Sequence, residues 1–334
     1  MSNKVSKVSV IGGGSWATAI VKILSENTDI QIGWWIRSTK QVDHINQFKH
    51  NPNYLSDVKI DIDKVLACNC IEEALQDSQV VILAVPAAFV HEVMTIVQTD
   101  WLKDKIIVTA VKGMIPEENL LISQYLEKYK AIEKDNICMI SGPCHSEEVA
   151  LERKSYLTIA GNSSKQAGIV SDLFSCRFIN TSVSIDLYGA EYAAVMKNVY
   201  GIACGVARGL NYGDNFQAVL VSNALSEMQF ALNQFYPLER NITQSAYNGD
   251  LLVTTYSQFS RNRTLGHMLG RGYSIKTALV EMNMIAEGYY GVRCLYELAQ
   301  AKNVDLPIVR AVYNIIYEKI SPSIEFSILE NKLI

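Results

Sequence analysis

No stretch of this chain is long and apolar enough to span a bilayer. The most apolar run, Val80 to Val90, is far shorter than the ~20 residues a spanning helix needs, and Pro86 interrupts it. No signal-peptide pattern opens the chain, so the expected compartment is the cytoplasm. Paired metal-type cysteine motifs are missing too. The seven cysteines (Cys68, Cys70, Cys138, Cys144, Cys176, Cys204 and Cys294) are odd in number and scattered. Only Cys68 and Cys70 are close, and a C-x-C without a second pair is a poor metal signature. They read as free thiols of a reducing compartment, and no metal is expected. The five histidines form no cluster, which argues against a histidine acid; His145 alone falls near a candidate site loop. Excess positive charge is lacking: 30 Lys and Arg against 34 Asp and Glu leave a net −4, so nucleic acid is not an expected partner. An acidic chain that binds anions must gather its basic residues locally. With 7 prolines, 19 glycines and no repeat or biased run, fibrous and low-complexity architectures are excluded as well.

What is present is a globular chain of 334 residues, 49% hydrophobic and 19% charged, a length that suits two domains of roughly 100–200 residues each. The first half alternates short β-branched apolar runs with amphipathic stretches. Val5–Ile11, Ile30–Trp35, Val80–Ala84, Ile106–Ala110, Ile137–Ile140 and Tyr156–Ala160 suit strands buried on both faces of a mostly parallel sheet. Trp16–Leu24, Phe89–Val97 and Leu120–Tyr129 read as helices between them, giving βαβ units. From about Asp186 onward only helical patterns appear: Tyr188–Leu210, Phe216–Asn233, Ile275–Met282, Gly288–Ala301 and Pro307–Ile320. The expectation is a Rossmann-type α/β domain over residues 1–183 and an all-α domain over 184–334.

Gly12-Gly13-Gly14-Ser15-Trp16-Ala17 directly follows the first strand and opens the first helix, fitting G-x-G-x-x-A. Gly12 permits the tight turn, Gly14 lets the backbone approach a pyrophosphate, and Ala17 lets helix and strand pack closely. The helix N-terminus offers N–H groups and partial positive charge to phosphates. At the end of the second strand, NAD-specific domains place an acid for the ribose hydroxyls. Here Arg37-Ser38-Thr39-Lys40 stands there, with no acid until Asp43. A guanidinium suits a 2′-phosphate, so NADP(H) is favoured and NAD(H) possible, with a plain surface role for Arg37 the alternative.

Lys112-Gly113 and Ser141-Gly142-Pro143-Cys144-His145 each follow a strand, at carboxyl ends where open α/β sheets bind ligands. Lys197 lies within the apolar helix Tyr188–Leu210, and a lysine there points to a site because lysines are rarely buried unpaired. Gly201 and Gly205 share nearly the same stripe and call for close approach of a neighbour or a ligand; a lysine snorkelling over a glycine helix contact is the alternative. Asn248-Gly249-Asp250 forms a turn before Leu251–Tyr256. Ser260-Arg261-Asn262-Arg263 offers a fork and an amide that fit a phosphate ester, or else a solvated charge run.

These pieces resemble one family. Val10-Ile11-Gly12-Gly13-Gly14-Ser15-Trp16, Val85-Pro86, Val111-Lys112-Gly113, Ser141-Gly142-Pro143, Lys197-Asn198-Val199, Gly249-Asp250-Leu251, Ser260–Arg263 and Ala286-Glu287-Gly288 resemble, in order and spacing, the bacterial-type NAD(P)-dependent glycerol-3-phosphate dehydrogenases. The resemblance implies reduction of dihydroxyacetone phosphate to sn-glycerol 3-phosphate for phospholipid synthesis. It implies Lys197 as proton donor and acceptor with Asp250 beside it, and Lys112 touching substrate and cofactor. Ser260, Arg261 and Asn262 would hold the substrate phosphate, and Gly142 and Cys144 would belong to the substrate loop. Ser15, Trp16, Arg37, Ser146, Arg261, Ile285 and Glu287 would contact the cofactor, alongside Gly12 and Gly14. The chain departs from the family at Cys144-His145, where a Ser or Thr and an aromatic are usual, and at Tyr247-Asn248. The rival readings are a hydroxyacid or 6-phosphogluconate dehydrogenase of the same architecture and a non-catalytic NADP sensor. A homodimer is possible by analogy with such folds.

Overall fold

The computed structural model describes residues 5–27, 29–282 and 285–334. The chain divides into two compact units. The first comprises Met1–Val85, Phe89–Val111 and Ile122–Leu187; the second comprises Pro86–Ala88, Lys112–Leu121 and Tyr188–Ile334.

In chain order the strands are β1 (Lys7–Ile11), β2 (Gln31–Trp35), β3 (Val65–Cys68), β4 (Val80–Leu83), β5 (Ile106–Thr109), β6 (Met114–Ile115), β7 (Leu120–Leu121), β8 (Ile137–Ser141), β9 (Ser155–Gly161) and β10 (Ile179–Ser184). Eight of them form the sheet of the first unit, in the order β10-β9-β8-β5-β4-β1-β2-β3. Every neighbour pair is parallel except β8 with β9. The central strands are buried along their length, as continuous apolar runs dictate: Val80–Leu83 and Ile106–Thr109 have no exposed residue. Strand order reverses between β1 and β4, the position at which doubly wound sheets open a crevice for ligands. Helix α1 (Ser15–Ser25) leaves β1 there, and α2 (Thr39–Phe48) follows β2.

β3 and β10 are the two edges, and apolar runs do not reveal them. Leu66 of β3 is exposed, and β10 carries Asn180, Thr181, Ser182 and Ser184. An edge strand has one side open to water and needs no continuous apolar run.

The second unit is helical apart from the β6–β7 hairpin. Its main helices are α3 (Leu187–Gly209), α4 (Asp214–Phe235), α5 (Asp250–Tyr256), α6 (Arg261–Gly270), α7 (Glu287–Ala301) and α8 (Pro307–Ile316). Met114 and Leu121 of the hairpin join the same buried cluster as Val199, Tyr200, Leu251 and Val292. Helix α8 starts on Pro307, fitting for a first position whose N–H has no helical partner. Its next two N–H groups, of Ile308 and Val309, donate to the buried carboxylate of Glu227 on α4 at 2.7 and 3.1 Å.

Helices α3 and α6 touch along a seam of glycines, Gly205 and Gly209 on one side and Gly266 and Gly270 on the other. A Cβ on Gly205 would lie 2.1 Å from the Arg263 carbonyl oxygen, and one on Gly266 would lie 2.0 Å from that of Ile202. Each helix therefore presents bare backbone to the other, and no other residue fits. Among the described residues, no helix is long and apolar enough to cross a membrane.

Candidate active site

Two sets of residues carry chemistry, one in each unit. In the first unit the turn after β1 is built for an anion. Gly12 has φ +133, and a Cβ there would meet the Ala84 carbonyl oxygen at 2.5 Å, so only glycine serves. The carbonyls of the turn are tied down: Trp34 Nε1 donates to Gly12 O at 2.7 Å, and Gln41 Nε2 and Asn51 Nδ2 donate to Gly13 O at 2.7 and 3.1 Å. Gly14 is the N-cap of α1 and supplies no side-chain acceptor, while a Cβ on it would meet nothing within 4 Å. Open space over the N-terminus of a helix without a side-chain cap is what a pyrophosphate requires. Trp16 Nε1 is buried and lacks a hydrogen-bond partner among the described residues, a donor left for a group the protein itself does not supply.

After β2, the Arg37 side chain is 71% exposed. It lies 3.6 Å from Glu92 and over the Phe89 ring at 5.7 Å. A pair this exposed and this long holds the guanidinium only loosely. Between β8 and β9, Gly142 has φ +101 beneath the Tyr156 carbonyl, and Cys144 packs half-buried against the sheet core. Ser146 opens the following five-residue helix, its hydroxyl on Glu147 at 3.1 Å.

In the second unit two lysines converge on one carboxylate. Asp250, 1% exposed, accepts from Lys197 Nζ at 2.5 Å on Oδ1 and from Lys112 Nζ at 2.8 Å on Oδ2. Lys197 also donates to Thr254 Oγ1 at 3.0 Å. Sequence places these groups by simple means. Lys112 opens the segment that leads into the hairpin, Lys197 is in the interior of α3, and Asp250 and Thr254 are one turn apart on α5. Asp250 is the first residue of that helix rather than part of the turn before it; the turn is Ser245–Gly249.

Burial is the largest influence on Lys197 and pushes its ammonium down to about 7; Asp250 opposes the shift and Lys112 adds to it. For Asp250 itself burial acts upward, but the Lys112 and Lys197 ammonium groups outweigh it, and the carboxyl is held below its ordinary value. The result is a fixed anion beside a lysine able to gain or lose a proton near neutrality.

Around this centre, Ser260 caps α6, its hydroxyl accepting from Arg263 N at 3.3 Å. Arg261 and Asn262 thus occupy the first turn of a helix, where N–H groups and the dipole favour a phosphate. Arg261 Nη1 donates to the Ile285 carbonyl at 3.4 Å. Glu287 accepts from Ala87 N at 3.1 Å through Oε1, whereas its buried Oε2 has no partner among the described residues. Burial pushes this carboxyl up to about 7, against the opposing pull of the Ala87 N–H and Arg261. An unpaired buried carboxylate oxygen next to Lys112-Gly113 fits a ligand that brings N–H donors, such as a carboxamide.

The structure thus gathers Lys112, Lys197 and Asp250 directly, and Arg261 with Ile285 and Glu287. Gly12, Gly14, Ser15 and Trp16 form the turn of the first unit. Gly201 and Gly205 answer the question their spacing raised: both face protein, Thr254 and Asn262 in one case and the α6 backbone in the other. Two residues that sequence reasoning gave no role also belong to the second set. Thr254 was discoverable from its spacing of four from Asp250 on an amphipathic helix. Asn198 carried no signal beyond following Lys197.

Comparison with known proteins identifies the family. The profile of the NAD-dependent glycerol-3-phosphate dehydrogenase N-terminus matches residues 7–167, and that of the corresponding C-terminus matches residues 186–326. The chain is 30% identical over 317 residues to glycerol-3-phosphate dehydrogenase [NAD(P)+] of Staphylococcus carnosus (strain TM300), covering 95% of each chain. It is 31% identical over 318 residues to the protein of the same name from Staphylococcus aureus (strain JH9), again covering 95% of each. Among solved structures, glycerol-3-phosphate dehydrogenase from Coxiella burnetii superposes with a TM-score of 0.90 at 25% identity, over 97% of this chain and 98% of that one. A ketopantoate reductase family structure from Ralstonia eutropha JMP134 shares the fold at a TM-score of 0.60 and 12% identity, over 96% of this chain and 99% of that one.

Proposed function

Because the chain belongs to the NAD-dependent glycerol-3-phosphate dehydrogenase family, we propose that it reduces dihydroxyacetone phosphate to sn-glycerol 3-phosphate, reversibly, with NADPH preferred over NADH. The observation that carries the reading is the buried Lys197, shared between Asp250 and Thr254, with Lys112 on the other carboxylate oxygen. When bound, the nicotinamide supplies a hydride to the carbonyl carbon. The protein's own task is the other half of the reaction, a proton for the developing alkoxide. Lys197 donates it, and in the reverse direction takes it back from the substrate hydroxyl. Asp250 compensates the charge while Lys112 weakens the hold of Lys197 on its proton.

Ser260, Arg261 and Asn262, at the N-terminus of α6, hold the substrate phosphate in this reading. Gly142 and Cys144 line the substrate, and Lys112 contacts it as well. Gly12, Gly14, Ser15 and Trp16 seat the cofactor pyrophosphate, Arg37 takes its 2′-phosphate, and Lys112, Ser146, Arg261, Ile285 and Glu287 contact the remainder. Residues 1–183 then form the cofactor-binding domain, which also lends Lys112, Gly142 and Cys144 to the substrate, and 184–334 the substrate domain, which lends Arg261, Ile285 and Glu287 to the cofactor. The product would feed phospholipid synthesis in the cytoplasm. The test is oxidation of NADPH by purified protein on addition of dihydroxyacetone phosphate, with 2-keto acids and 6-phosphogluconate as rival substrates. Turnover confined to a rival, or absent with all of them, refutes the assignment.

A further inference from the structure

A side-chain amide inside a helical core is costly unless its donors and acceptors are matched, and asparagine is also a poor helix former. The second unit buries two such amides, Asn198 at 6% and Asn262 at 8% exposure, and points them at each other. Gly288 N donates to Asn262 Oδ1 at 2.9 Å, Asn262 Nδ2 donates to Asn198 Oδ1 at 2.9 Å, and Asn198 Nδ2 donates to the Lys112 carbonyl oxygen at 2.8 Å. All three bonds run in the same sense, so each polarises the next. They tie together four separate pieces of chain: the start of α7, the start of α6, the interior of α3, and the segment that carries Lys112.

We propose that this amide relay is a positioning device for the reaction: Asn198, braced by Asn262, fixes the main chain of Lys112 so that its ammonium stays on Asp250. The proposal rests on the catalytic reading above and adds to it residues that act through Lys112. Local packing is cut to fit the relay. A Cβ on Gly288 would lie 2.8 Å from Asn198 O and 2.9 Å from Asn262 Oδ1, and one on Gly201 would lie 3.2 Å from Asn262 Cβ. Because Asn198 directly follows Lys197, the relay also sets the register between the two lysines that share the carboxylate. Asn262 has its amide oxygen and nitrogen each already engaged inside the relay, so its position is fixed before any phosphate arrives.

The relay makes a prediction that a purely structural contact does not. If Lys112 drifts from Asp250, the whole carboxylate charge falls on Lys197, which then holds its proton more tightly. The experiment is a double-mutant cycle of Asn198→Ala and Lys112→Met, together with a pH titration of Lys197 by NMR in protein labelled with 13C at lysine Cε. Asn198→Ala should lower kcat/KM for dihydroxyacetone phosphate on the order of ten- to hundredfold, the scale of a misplaced catalytic group. On the Lys112→Met background it should cost less than about threefold more, the non-additivity of residues acting as one unit. The Lys197 titration should move upward from its midpoint near 7. Additive losses, or an unmoved midpoint, overturn the proposal. If Asn198→Ala does not fold, Asn262→Ser cuts the relay one link earlier and is scored on the Lys197 titration alone, because Asn262 also holds the substrate phosphate in the reading above. The titration needs no substrate, so a parent protein inactive on dihydroxyacetone phosphate would refute the assigned reaction while leaving the relay to be decided by NMR.

Discussion

Replacing Lys197 with methionine removes one ammonium from a pair that shares a single buried carboxylate. Breaking a buried ion pair by deleting one partner commonly costs about 3–5 kcal/mol, because the other charge is left uncompensated. Here Lys112 remains 2.8 Å from Asp250, and the variant no longer has to bury the Lys197 ammonium. The stability loss should therefore fall at or below the lower end of that range, and the protein should stay folded. Turnover behaves differently, since both the proton and the positive charge opposite the alkoxide disappear. General acid catalysis contributes roughly 10²–10⁴-fold, equivalent to about 2.7–5.4 kcal/mol of barrier. The pH profile supplies an independent signature. With Lys197 near 7, oxidation of glycerol 3-phosphate, which needs the neutral amine, should rise as pH passes 7, and reduction of the ketone should fall above it. In the variant both limbs should vanish. The assays are NADPH oxidation at saturating dihydroxyacetone phosphate and NADP+ reduction at saturating glycerol 3-phosphate, each across pH 5.5 to 9 (roughly the range that brackets such a group), beside NADPH binding by fluorescence. A variant that binds NADPH normally and turns over within a few fold of the parent would sink the reasoning. The acid would then have to be Lys112 or His145.

Arg37→Ala should weaken NADPH by about 1.5–3 kcal/mol, a lost charged hydrogen bond, and leave NADH almost untouched; equal losses by fluorescence titration would show that Arg37 does not read the 2′-phosphate. Cys144→Ser should keep appreciable turnover, because hydride transfer to a ketone forms no covalent intermediate, and a folded variant at background rate would make the thiol essential. Gly205→Ala should destabilise by at least about 1–3 kcal/mol in urea unfolding, since the added carbon meets the Arg263 carbonyl at 2.1 Å. Gly168→Ala, in the helix Ser164–Phe174 with nothing within 4 Å, is its control and should stabilise by roughly 0.5–1 kcal/mol; matching effects of the two would refute the seam.

The sheet centre was legible in the sequence because burial on both faces forces continuous apolar runs, and β1, β4 and β5 show them. The edges β3 and β10 were not, because solvent on one side relaxes that demand. Helices α3, α4, α7 and α8 were legible from period alone, within a few residues at their ends, whereas α5 and α6 were too short and too polar at their starts to show one. Lys197 stood out because a cation in an apolar helix needs a partner, and the glycines beyond it because a helix rarely spends two on one stripe. What those glycines face was not legible: distinguishing a neighbouring backbone from a ligand takes the path of α6, which begins over fifty residues after Gly205. The amide relay was hidden for the same reason. Asn198 and Asn262 are 64 residues apart, and nothing local distinguishes a buried amide from a solvated one.

The glycine seam between α3 and α6 has a consequence for heat and for time. Contacts between side chains loosen on warming because alternative rotamers become populated. A seam of main chain against main chain has no rotamers to populate. Lys197 lies on one side of it and the Ser260-Arg261-Asn262 turn near the other, so the spacing between the main chains that carry the proposed proton donor and the proposed phosphate-holding turn is set by backbone contact. Substrate then meets an arrangement whose ordering entropy was spent during folding, and binding need not spend it again.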